Sequence, residues 1–339
     1  MNVNDKTIDI VITWVNGSDS DWQKRKNEYL KKPDTDLRDE RYRDSGSLKY
    51  LLRGINLHAP WVRKVHLLTE GHLPDWLNTE CEKLNVVKHA DFMPAETLPT
   101  FNSNAIEMYL HKIPDLSERF IYFNDDMLIL KDVEESDFFV GNKPKDMLAL
   151  QPVVANPNNP VMSNIFLNNS IAISRHFDKE ESIKRNRSKY YHVGYPVKYF
   201  VYNILENAFP LYTSFYTVHG PSPFLKSTFE EVWEKEREVL YATANNHIRS
   251  KDDVSQYLFR EWEKQKGNFV PSNLHKNFAY FEIGNDNRKL ISCIKGKKKK
   301  LICINDTCKE VDFEKAVNEI NDALESSLSQ NSPFEKMNK

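Results

Sequence analysis

The sequence contains few of the residues from which covalent or thiolate scaffolds are built. Only 4 of its 339 residues are cysteine. They are too few and too scattered to suggest the disulfide framework of a small secreted protein or a four-thiolate zinc site. We therefore expect reduced thiols at all four positions, which are Cys81, Cys293, Cys303 and Cys308.

Long apolar runs and a strong net charge are also lacking. No run approaches the roughly 20 apolar residues that span a bilayer, and the N-terminal MNVNDKTIDI lacks the cationic-then-apolar layout of a signal peptide. A formal net charge of -2 gives no general attraction to nucleic acid or to anionic membranes. We expect a cytoplasmic protein with no nucleic-acid partner.

Glycine-rich phosphate loops are absent as well. The sequence has neither G-x-G-x-x-G nor a Walker loop, so neither a dinucleotide fingerprint nor a P-loop is present. A β-prone run at residues 8–15 is instead followed at once by the turn residues Asn16-Gly17-Ser18-Asp19. A strand that ends in such a turn near the start of a chain commonly begins a nucleotide-binding α/β unit.

The most informative stretch is residues 120–130, FIYFNDDMLIL. Its apolar flanks are typical of a strand covered on both faces, interrupted by Asn124, Asp125 and Asp126. Adjacent carboxylates repel each other and are costly to desolvate unless a cation or a hydrogen-bond network compensates them. At a strand end they would suit Mg²⁺ carrying a substrate diphosphate. A solvated turn explains the same residues equally well.

The order of the elements in the first half predicts an α/β sheet. Strands are expected at residues 8–15, 64–69, 85–89 and 120–123, with helices within 41–55 and 101–113. Asp44 or Ser45 is available to cap the first helix. Arg41 near its start could bind phosphate oxygens, or it could occupy a solvated surface position.

The second half is less regular. Prolines and asparagines at residues 151–169 predict long loops, and the basic stretch 175–192 fits either an anionic acceptor or a solvated face. Helices are expected at 228–241 and 252–265, which places Arg249 just before a helix start, where it could clamp an anion. The run GKKKK at 296–300 lies between two β-prone pieces and predicts a hairpin turn.

One histidine stands at a rigid junction. His219 follows the aromatic run 209–218 and precedes Gly220-Pro221. Histidine is the usual general acid or base near neutral pH. Because the chain has 10 histidines, its local sequence alone does not single this one out.

These motifs together resemble the Stealth family of sugar-1-phosphate transferases, which includes bacterial capsule enzymes and the lysosomal-targeting N-acetylglucosamine-1-phosphotransferase. The similarity lies in four separated blocks in the family's order. They are residues 8–19 (IDIVITWVNGSD), 41–77 with 101–130, 219–267 with HGPSPFLKS and HIRSKDDVS, and 303–307 (CINDT) with SPFEK at 332–336. Four blocks are far more specific than any single motif.

The resemblance implies transfer of a hexose- or N-acetylhexosamine-1-phosphate from a UDP-sugar to a hydroxyl of an acceptor glycan. The product would be a phosphodiester in a bacterial surface polysaccharide, and the leaving group would be UMP. Mg²⁺ or Mn²⁺ and fixed cations would stabilise the phosphorus oxygens. A lipid-linked acceptor would keep the enzyme peripherally at the cytoplasmic face of the inner membrane.

The resemblance also implies the site residues. Asp125 and Asp126 would form the central acidic pair and Arg249 would bind the transferring phosphate. His219 is the candidate base, although Asp126 could take the proton instead. A base on His219 must be neutral, so activity should be lost at acid pH. The nucleotide pocket would contain Trp14, Asn16, Gly17, Asp19, Arg41 and Asp44, and the metal ligands would be Asp125, Asp126, Asn305 and Asp306.

The sequence departs from the family pattern at two of the matched positions. His72 stands where the family often has glutamine, and Tyr42 where phenylalanine is common. Both concern substrate detail rather than reaction class. Because no chain-extending or membrane module is evident, we expect a single addition rather than processive polymerisation.

The expected fold is α/β, with a GT-A-like or Rossmann-like nucleotide-binding sheet and helical additions from the C-terminal half. We expect one catalytic domain over residues 1–339, with the sheet in 1–140, additions that complete the site in 141–328, and a tail at 329–339. Two other functions remain open. One is a metal-dependent glycosyltransferase that releases UDP, and the other is a catalytically silent partner that binds sugar nucleotides.

Overall fold

The computed structural model describes residues 7–29, 42–307 and 312–336. The strands are β1 (Ile8–Thr13), β2 (Val65–Thr69), β3 (Leu84–Lys88), β4 (Arg119–Asn124), β5 (Met127–Ile129), β6 (Phe139–Val140), β7 (Lys143–Asp146), β8 (Ser222–Leu225), β9 (Val270–Pro271), β10 (Phe278–Glu282) and β11 (Leu301–Asn305). No helix in these ranges has both the length and the apolar character needed to cross a bilayer.

The helices surround these strands. They are α1 (Ser20–Tyr29), α2 (Ser47–His58), α3 (Ser103–Met108), α4 (Glu135–Phe138), α5 (Pro160–His176), α6 (Lys179–Arg185), α7 (Arg187–Tyr190), α8 (Val197–Glu206), α9 (Lys226–Lys235), α10 (Arg237–Ala244), α11 (Tyr257–Lys266), α12 (Arg288–Lys295) and α13 (Phe313–Ser327).

The strand β1 lies at the centre of a five-stranded sheet. Its order is β3-β2-β1-β4-β8, in which the first four strands are parallel and β8 is antiparallel to β4. Parallel strands in the order 3-2-1-4 form the core of a doubly wound, Rossmann-like sheet. The α/β fold predicted from the sequence is therefore confirmed.

Both faces of this sheet are covered. Ile10 and Ile12 of β1 pack into one core, which also contains side chains of α2, α12 and α13. Val11 packs into a second core with side chains of α9 and α11. Since successive side chains of a strand point to opposite faces, a strand covered on both faces needs apolar residues on each of them. This explains the largely apolar sequence of β1, whose buried Asp9 is paired with Arg63 at 2.6 Å.

Two polar turns meet at one edge of the sheet. Thr13 at the end of β1 pairs in register with Asn124 at the end of β4. The Asn16-Gly17 turn and the Asp125-Asp126 turn therefore both leave the carboxyl edge. Ligands of open α/β sheets bind at this edge.

A second sheet brings the C-terminal part of the chain to the same edge. Its order is β10-β11-β5, with Cys303 of β11 paired in register with Met127 of β5. The backbone N–H of Ile304 donates to the carbonyl oxygen of Asp126 at 2.8 Å. Residues that are nearly 180 positions apart in the sequence thus lie side by side.

Three predicted elements of the second half were wrong. Residues 290–294 belong to α12, because Leu290, Cys293 and Ile294 are buried at helical spacing, so the lysine run does not form a hairpin turn. Residues 160–169 lie in α5, where Pro160 occupies the first turn and its missing N–H costs nothing. The single helix expected at 228–241 is broken at Glu236, whose carboxylate accepts hydrogen bonds from two side chains of α5.

The C-terminal segment is held on α2 by one buried arginine. Arg53 is 3% exposed and donates two hydrogen bonds to the carboxylate of Glu335. It also donates to Glu325 and to the carbonyl oxygen of Leu328. Two-point arginine–carboxylate pairs fix geometry as well as charge. Phe334 is buried beside this pair in the core shared with β1.

Helix α2 approaches β5 more closely at Gly54 than a side chain would allow. A Cβ at this position would lie 2.5 Å from the carbonyl oxygen of Ile129 and 3.3 Å from its Cβ. Both distances are below normal contact, so helix and strand would have to separate. Because β5 directly follows Asp125 and Asp126, this contact bears on the position of the acidic turn.

We predict that Gly54→Ala destabilises the fold by about 1–3 kcal/mol, through overpacking against β5. The matched control is Gly284→Ala, where the nearest heavy atom would be 4.0 Å away. Urea unfolding followed by tryptophan fluorescence gives the free energy of each variant. Equal stability of the two variants would contradict the close packing described here.

Candidate active site

A cavity of about 620 Å³ opens at the carboxyl edge of the main sheet. It lies between the ends of β1 and β4 on one side and the start of α5, β11 and the segment 214–219 on the other. The residues predicted as functional that line it are Trp14, Asp125, Asp126, His219, Arg249, Asn305 and Asp306. Each of the four sequence blocks therefore contributes residues to the cavity wall. Arg43 and Asn124 of the second block also line it.

The Asp125-Asp126 turn is held by its backbone from two directions. Ser47, the first residue of α2, donates its hydroxyl to the carbonyl oxygen of Asp125 at 2.7 Å. The backbone N–H of Ile304 in β11 donates to the carbonyl oxygen of Asp126. Neither of the predicted residues caps α2, because Gly46 occupies that position in a left-handed conformation. Ser47 instead ties the helix start to the acidic turn.

The two carboxylates are close to each other and poorly solvated. Burial raises the pKa of Asp125 well above its ordinary value, and the negative charges of Asp126 and Asp44 raise it further. A positive charge placed near this turn would reverse the effect. The turn therefore favours binding of a cation.

His219 lies next to this pair. Its Nδ1 is 2.8 Å from the hydroxyl of Tyr257, and its Nε2 is 3.8 Å from Oδ2 of Asp126. Burial raises the pKa of Tyr257, so the phenol is neutral. When Nδ1–H donates to the phenol oxygen, Nε2 presents its lone pair to the cavity, and this is the form that a general base requires.

Cys303 also contacts the acidic turn, although its sequence gave no reason to select it beyond its place in the fourth block. Its Sγ donates to Oδ2 of Asp126 at 3.2 Å. Burial raises the pKa of the thiol well above its ordinary value, and the charges of Asp126 and Asp125 act in the same direction. The thiol therefore stays protonated and serves as a hydrogen-bond donor.

The residues around Asp126 fit a divalent cation. Oδ1 of Asp126 is buried and has no hydrogen-bond partner among the described residues. Ligand atoms of Asp126, His219 and Cys303 lie within 4.8 Å of one another, and of these the carboxylate is the ligand that a hard divalent cation prefers. A buried carboxylate oxygen without a partner is costly, and a bound cation would satisfy it.

The other two predicted metal ligands have different partners. Asp306 accepts two hydrogen bonds from Arg43, at 2.8 and 2.9 Å. The side-chain amide of Asn305 donates to the hydroxyl of Tyr280 at 2.6 Å. Metal coordination by Asn305 and Asp306 stays a prediction, and it would require Asp306 to share its charge between Arg43 and the ion.

Arg249 reaches the cavity from a loop rather than from the residue before a helix. The helix α11 begins at Tyr257, five residues later than predicted. The guanidinium of Arg249 donates to Ser103 and contacts the sulfur of Met162, and its buried Nε has no hydrogen-bond partner in the part of the chain that the structure describes. No carboxylate of the described residues lies within ion-pair distance of it. Its charge is therefore available to an anion in the cavity.

The loop that carries Arg249 is organised around Asp253. This carboxylate is fully buried and accepts hydrogen bonds from the side-chain amides of Asn102, Asn104 and Asn246 and from the backbone N–H of Ser250. Burial raises the pKa of Asp253, and the hydrogen bonds oppose this change. These bonds hold residues 246–253 against the start of α3. They explain why helix α11 does not begin at residue 252.

The polar side chains of the first sequence block mainly stabilise the turn between β1 and α1. Asn16 accepts hydrogen bonds from the backbone and hydroxyl of Ser18, and Asp19 caps α1 through the backbone N–H of Trp22. Gly17 passes so close to Tyr42 that a Cβ would lie 1.9 Å from its carbonyl oxygen.

Of the predicted nucleotide-binding residues, Trp14 lines the cavity. Asn16, Gly17, Asp19 and Asp44 are not among the described lining residues. Asp44 nevertheless acts electrostatically on Asp125. The prediction for Arg41 lies outside the described residues.

One position that departs from the family pattern supports the same turn. Nε2 of His72 accepts a hydrogen bond from the backbone N–H of Asn16 at 2.8 Å. Burial lowers the pKa of His72, which favours the neutral ring that can accept this bond.

Comparison with known proteins gives consistent matches. The family model described as Stealth protein CR1, conserved region 1, matches residues 6–34, and the model of conserved region 2 matches residues 41–147. The capsular polysaccharide phosphotransferase WcwK of Streptococcus pneumoniae is 40% identical over 338 residues, which cover 98% of this chain and 99% of that protein. The receptor polysaccharide phosphotransferase WefC of Streptococcus oralis is 34% identical over 333 residues, which cover 97% of this chain and 99% of that protein.

Among solved structures, the galactosyltransferase LgtC, in complex with donor and acceptor sugar analogs, is 10% identical to this chain. The match has a TM-score of 0.38 and covers 93% of this chain and 95% of that one.

We predict that Asp253→Asn destabilises the fold by about 2 kcal/mol, because the new amide would face side-chain amide donors in a buried site. The loop of Arg249 should loosen, and the transfer rate per folded molecule should fall at least about tenfold. The matched control is Asp252→Asn, since Asp252 is exposed. Urea unfolding and steady-state kinetics measure the two effects. Unchanged stability and rate in Asp253→Asn would refute the role of this carboxylate.

Proposed function

The chain belongs to the Stealth family, and from this premise we propose that it is a polysaccharide phosphotransferase that moves a sugar-1-phosphate from a UDP-sugar to a hydroxyl of an acceptor glycan. The product is a phosphodiester in a bacterial surface polysaccharide, and UMP is released. One observation carries the proposal. A single cavity contains an acidic turn, a histidine held by a phenol and an arginine, and among the described residues Oδ1 of Asp126 has no hydrogen-bond partner and the arginine has no carboxylate partner.

The size of the cavity supports a nucleotide-sugar substrate. Small-molecule sites in proteins have volumes of about 300–1,000 Å³, and this one has about 620 Å³. Its wall is aromatic on both sides, with Trp14 near the end of β1 and with Tyr216 and Tyr280 opposite. Aromatic rings give planar contact surfaces to a base and to sugar rings.

The position of Asp125 and Asp126 supports their proposed role toward the diphosphate. They follow β4 at the carboxyl edge, where the phosphates of nucleotide ligands bind in open α/β sheets. A divalent cation bound there would neutralise charge on the phosphorus oxygens. The residues themselves fix where that charge is placed, because the backbone of the turn is held by Ser47 and Ile304.

His219 would act as the general base, and Arg249 would bind the transferring phosphate. Nε2 of His219 accepts the proton of the acceptor hydroxyl while that oxygen forms a bond to the β-phosphorus and the bond from phosphorus to the leaving UMP oxygen breaks. Arg249 donates hydrogen bonds to the non-bridging oxygens of the transferring phosphate. Tyr257 keeps the imidazole oriented through Nδ1.

We further propose that the whole chain acts as one catalytic domain in the cytoplasm. Ile8 of the first strand and Leu328 and Phe334 near the C-terminus belong to one hydrophobic core. The C-terminal elements also supply Cys303 and Ile304 to the acidic turn. A sheet without these additions would lack half of the site.

We predict that incubation with a UDP-sugar and a capsule or glycolipid acceptor releases UMP, and that EDTA stops the release. Mass spectrometry of the released nucleotide identifies the product from a panel of donors. The control is Asp126→Asn, which should behave like the EDTA-treated enzyme because it removes the carboxylate charge. Release of UDP would place the protein among glycosyltransferases. Absence of turnover with every donor and acceptor would favour a silent binding partner.

We predict that His219→Gln lowers the transfer rate by about 10²–10⁴-fold, the usual contribution of a general base. The matched control is His58→Gln, since His58 is also paired with a carboxylate, at 2.7 Å from Asp132, but does not line the cavity. Full activity of His219→Gln would contradict this role and leave Asp126 as the base.

A further inference from the structure

Helix α8 exposes its apolar side. Val197, Val201, Ile204 and Leu205 are 78%, 42%, 52% and 60% exposed. They stand at positions i, i+4, i+7 and i+8, so they form one stripe along the helix. The buried residues Tyr199, Asn203 and Glu206 occupy the opposite side. The helix therefore contacts the protein through its more polar side and presents aliphatic side chains to the surroundings.

Further exposed apolar residues flank the helix in the sequence. Val193 before it is 93% exposed, and Phe209 after it is 53% exposed. We call these two residues and the four of the stripe the α8 patch. Single exposed apolar residues are normal on protein surfaces, but a contiguous row of them marks an interaction site.

Basic residues are concentrated in the segment that leads into helix α8 and at its start. Residues 184–205 contain no aspartate or glutamate, and their basic residues are Lys184, Arg185, Arg187, Lys189 and Lys198. Of these, Lys184 is paired with Glu180 of the same helix at 2.6 Å. Arg185 and Arg187 are exposed, and neither forms an ion pair with any described residue. This local excess contrasts with the net charge of -2 of the whole chain.

The basic segment and the helix are fastened together. The side-chain amide of Asn203 donates to the carbonyl oxygen of Tyr190 at 2.6 Å, and the rings of Tyr191 and Phe200 meet edge to face. The buried ammonium of Lys179 donates to the carbonyl oxygen of Glu206 at 2.6 Å. Helices α6, α7 and α8 therefore behave as one surface.

This surface lies directly behind a wall of the cavity. The ring of Tyr199 stacks on that of Tyr216 with centroids 4.1 Å apart, and Tyr216 lines the cavity. Asn203 also accepts a hydrogen bond from the backbone N–H of Leu150, which precedes the lining residue Gln151. Anything that binds the α8 patch is thus close to the active site.

We propose that the α8 patch docks on an anionic lipid bilayer, with α8 lying in the plane of the interface. Aliphatic side chains enter the boundary of the acyl chains, while the basic residues face the lipid phosphates. A second copy of the chain fits less well, because a two-fold contact through the patch would place the basic segments of both copies at one interface. The proposal does not depend on the reaction that the cavity catalyses.

The test is flotation of the full chain with lipid vesicles. Vesicles of phosphatidylglycerol and phosphatidylcholine are compared with vesicles of phosphatidylcholine alone, at low and high salt. The test variant is Val201→Glu with Leu205→Glu. Its control is Leu57→Glu with Val140→Glu, which places the same charges on apolar residues that are 43% and 50% exposed elsewhere. Circular dichroism checks that each variant is folded.

We expect the wild type and the control to float with anionic vesicles only, and more weakly at high salt. The test variant should bind at least about tenfold less, and Arg185→Gln with Arg187→Gln should also bind less. The rate of transfer to a water-soluble acceptor should be equal in all variants. A loss of vesicle binding can then be distinguished from a loss of catalysis.

Three results would overturn the proposal. The first is a wild type that does not bind anionic vesicles, and the second is a test variant that binds them as well as the control does. The third is a wild-type dimer in light scattering that the test variant abolishes without any vesicle binding, which would assign the patch to a second copy.

Discussion

The architecture of the site depends on how the chain holds two adjacent carboxylates at the end of a buried strand. Asp125 and Asp126 repel each other and are poorly solvated, which raises the pKa of Asp125. Within the described part of the chain, no arginine or lysine forms an ion pair with either carboxylate. The fold fixes their backbone, through Ser47 from α2 and Ile304 from β11. A turn that is held rigidly but left uncompensated in charge is suited to a ligand that brings positive charge with it.

The rest of the structure follows from this requirement. The acidic turn lies at the carboxyl edge of the main sheet, but the groups that make it a reactive site come from far along the chain. β11 brings Cys303 to Asp126, and the segment before β8 brings His219. The loop before α11 brings Arg249, held in place by the buried Asp253. Arg53 of α2 anchors the C-terminal segment through its hydrogen bond to Glu335.

Local patterns predicted the elements whose burial is set by their own sequence. The strands β1 and β4 were predicted because most of their residues are apolar, and the acidic turn because its residues interrupt such a run. Patterns failed where a distant partner decides the structure. The start of α11 is delayed by bonds from Asn102 and Asn104 to Asp253, and the break at Glu236 depends on side chains of α5. Tyr257 and Cys303 were missed for the same reason, since their roles arise from contacts with His219 and Asp126.

The central claim is that the bond broken lies between the two phosphates of the donor, so that the sugar is transferred with its phosphate. It is tested most directly with a UDP-sugar that carries ³²P in the β-phosphate, followed by separation of glycan product from free nucleotide. The account predicts that the label appears in the glycan and withstands phosphatase, as a phosphodiester does. Label recovered in UDP, with an unlabelled glycan, would show that the anomeric bond is broken and would contradict the account.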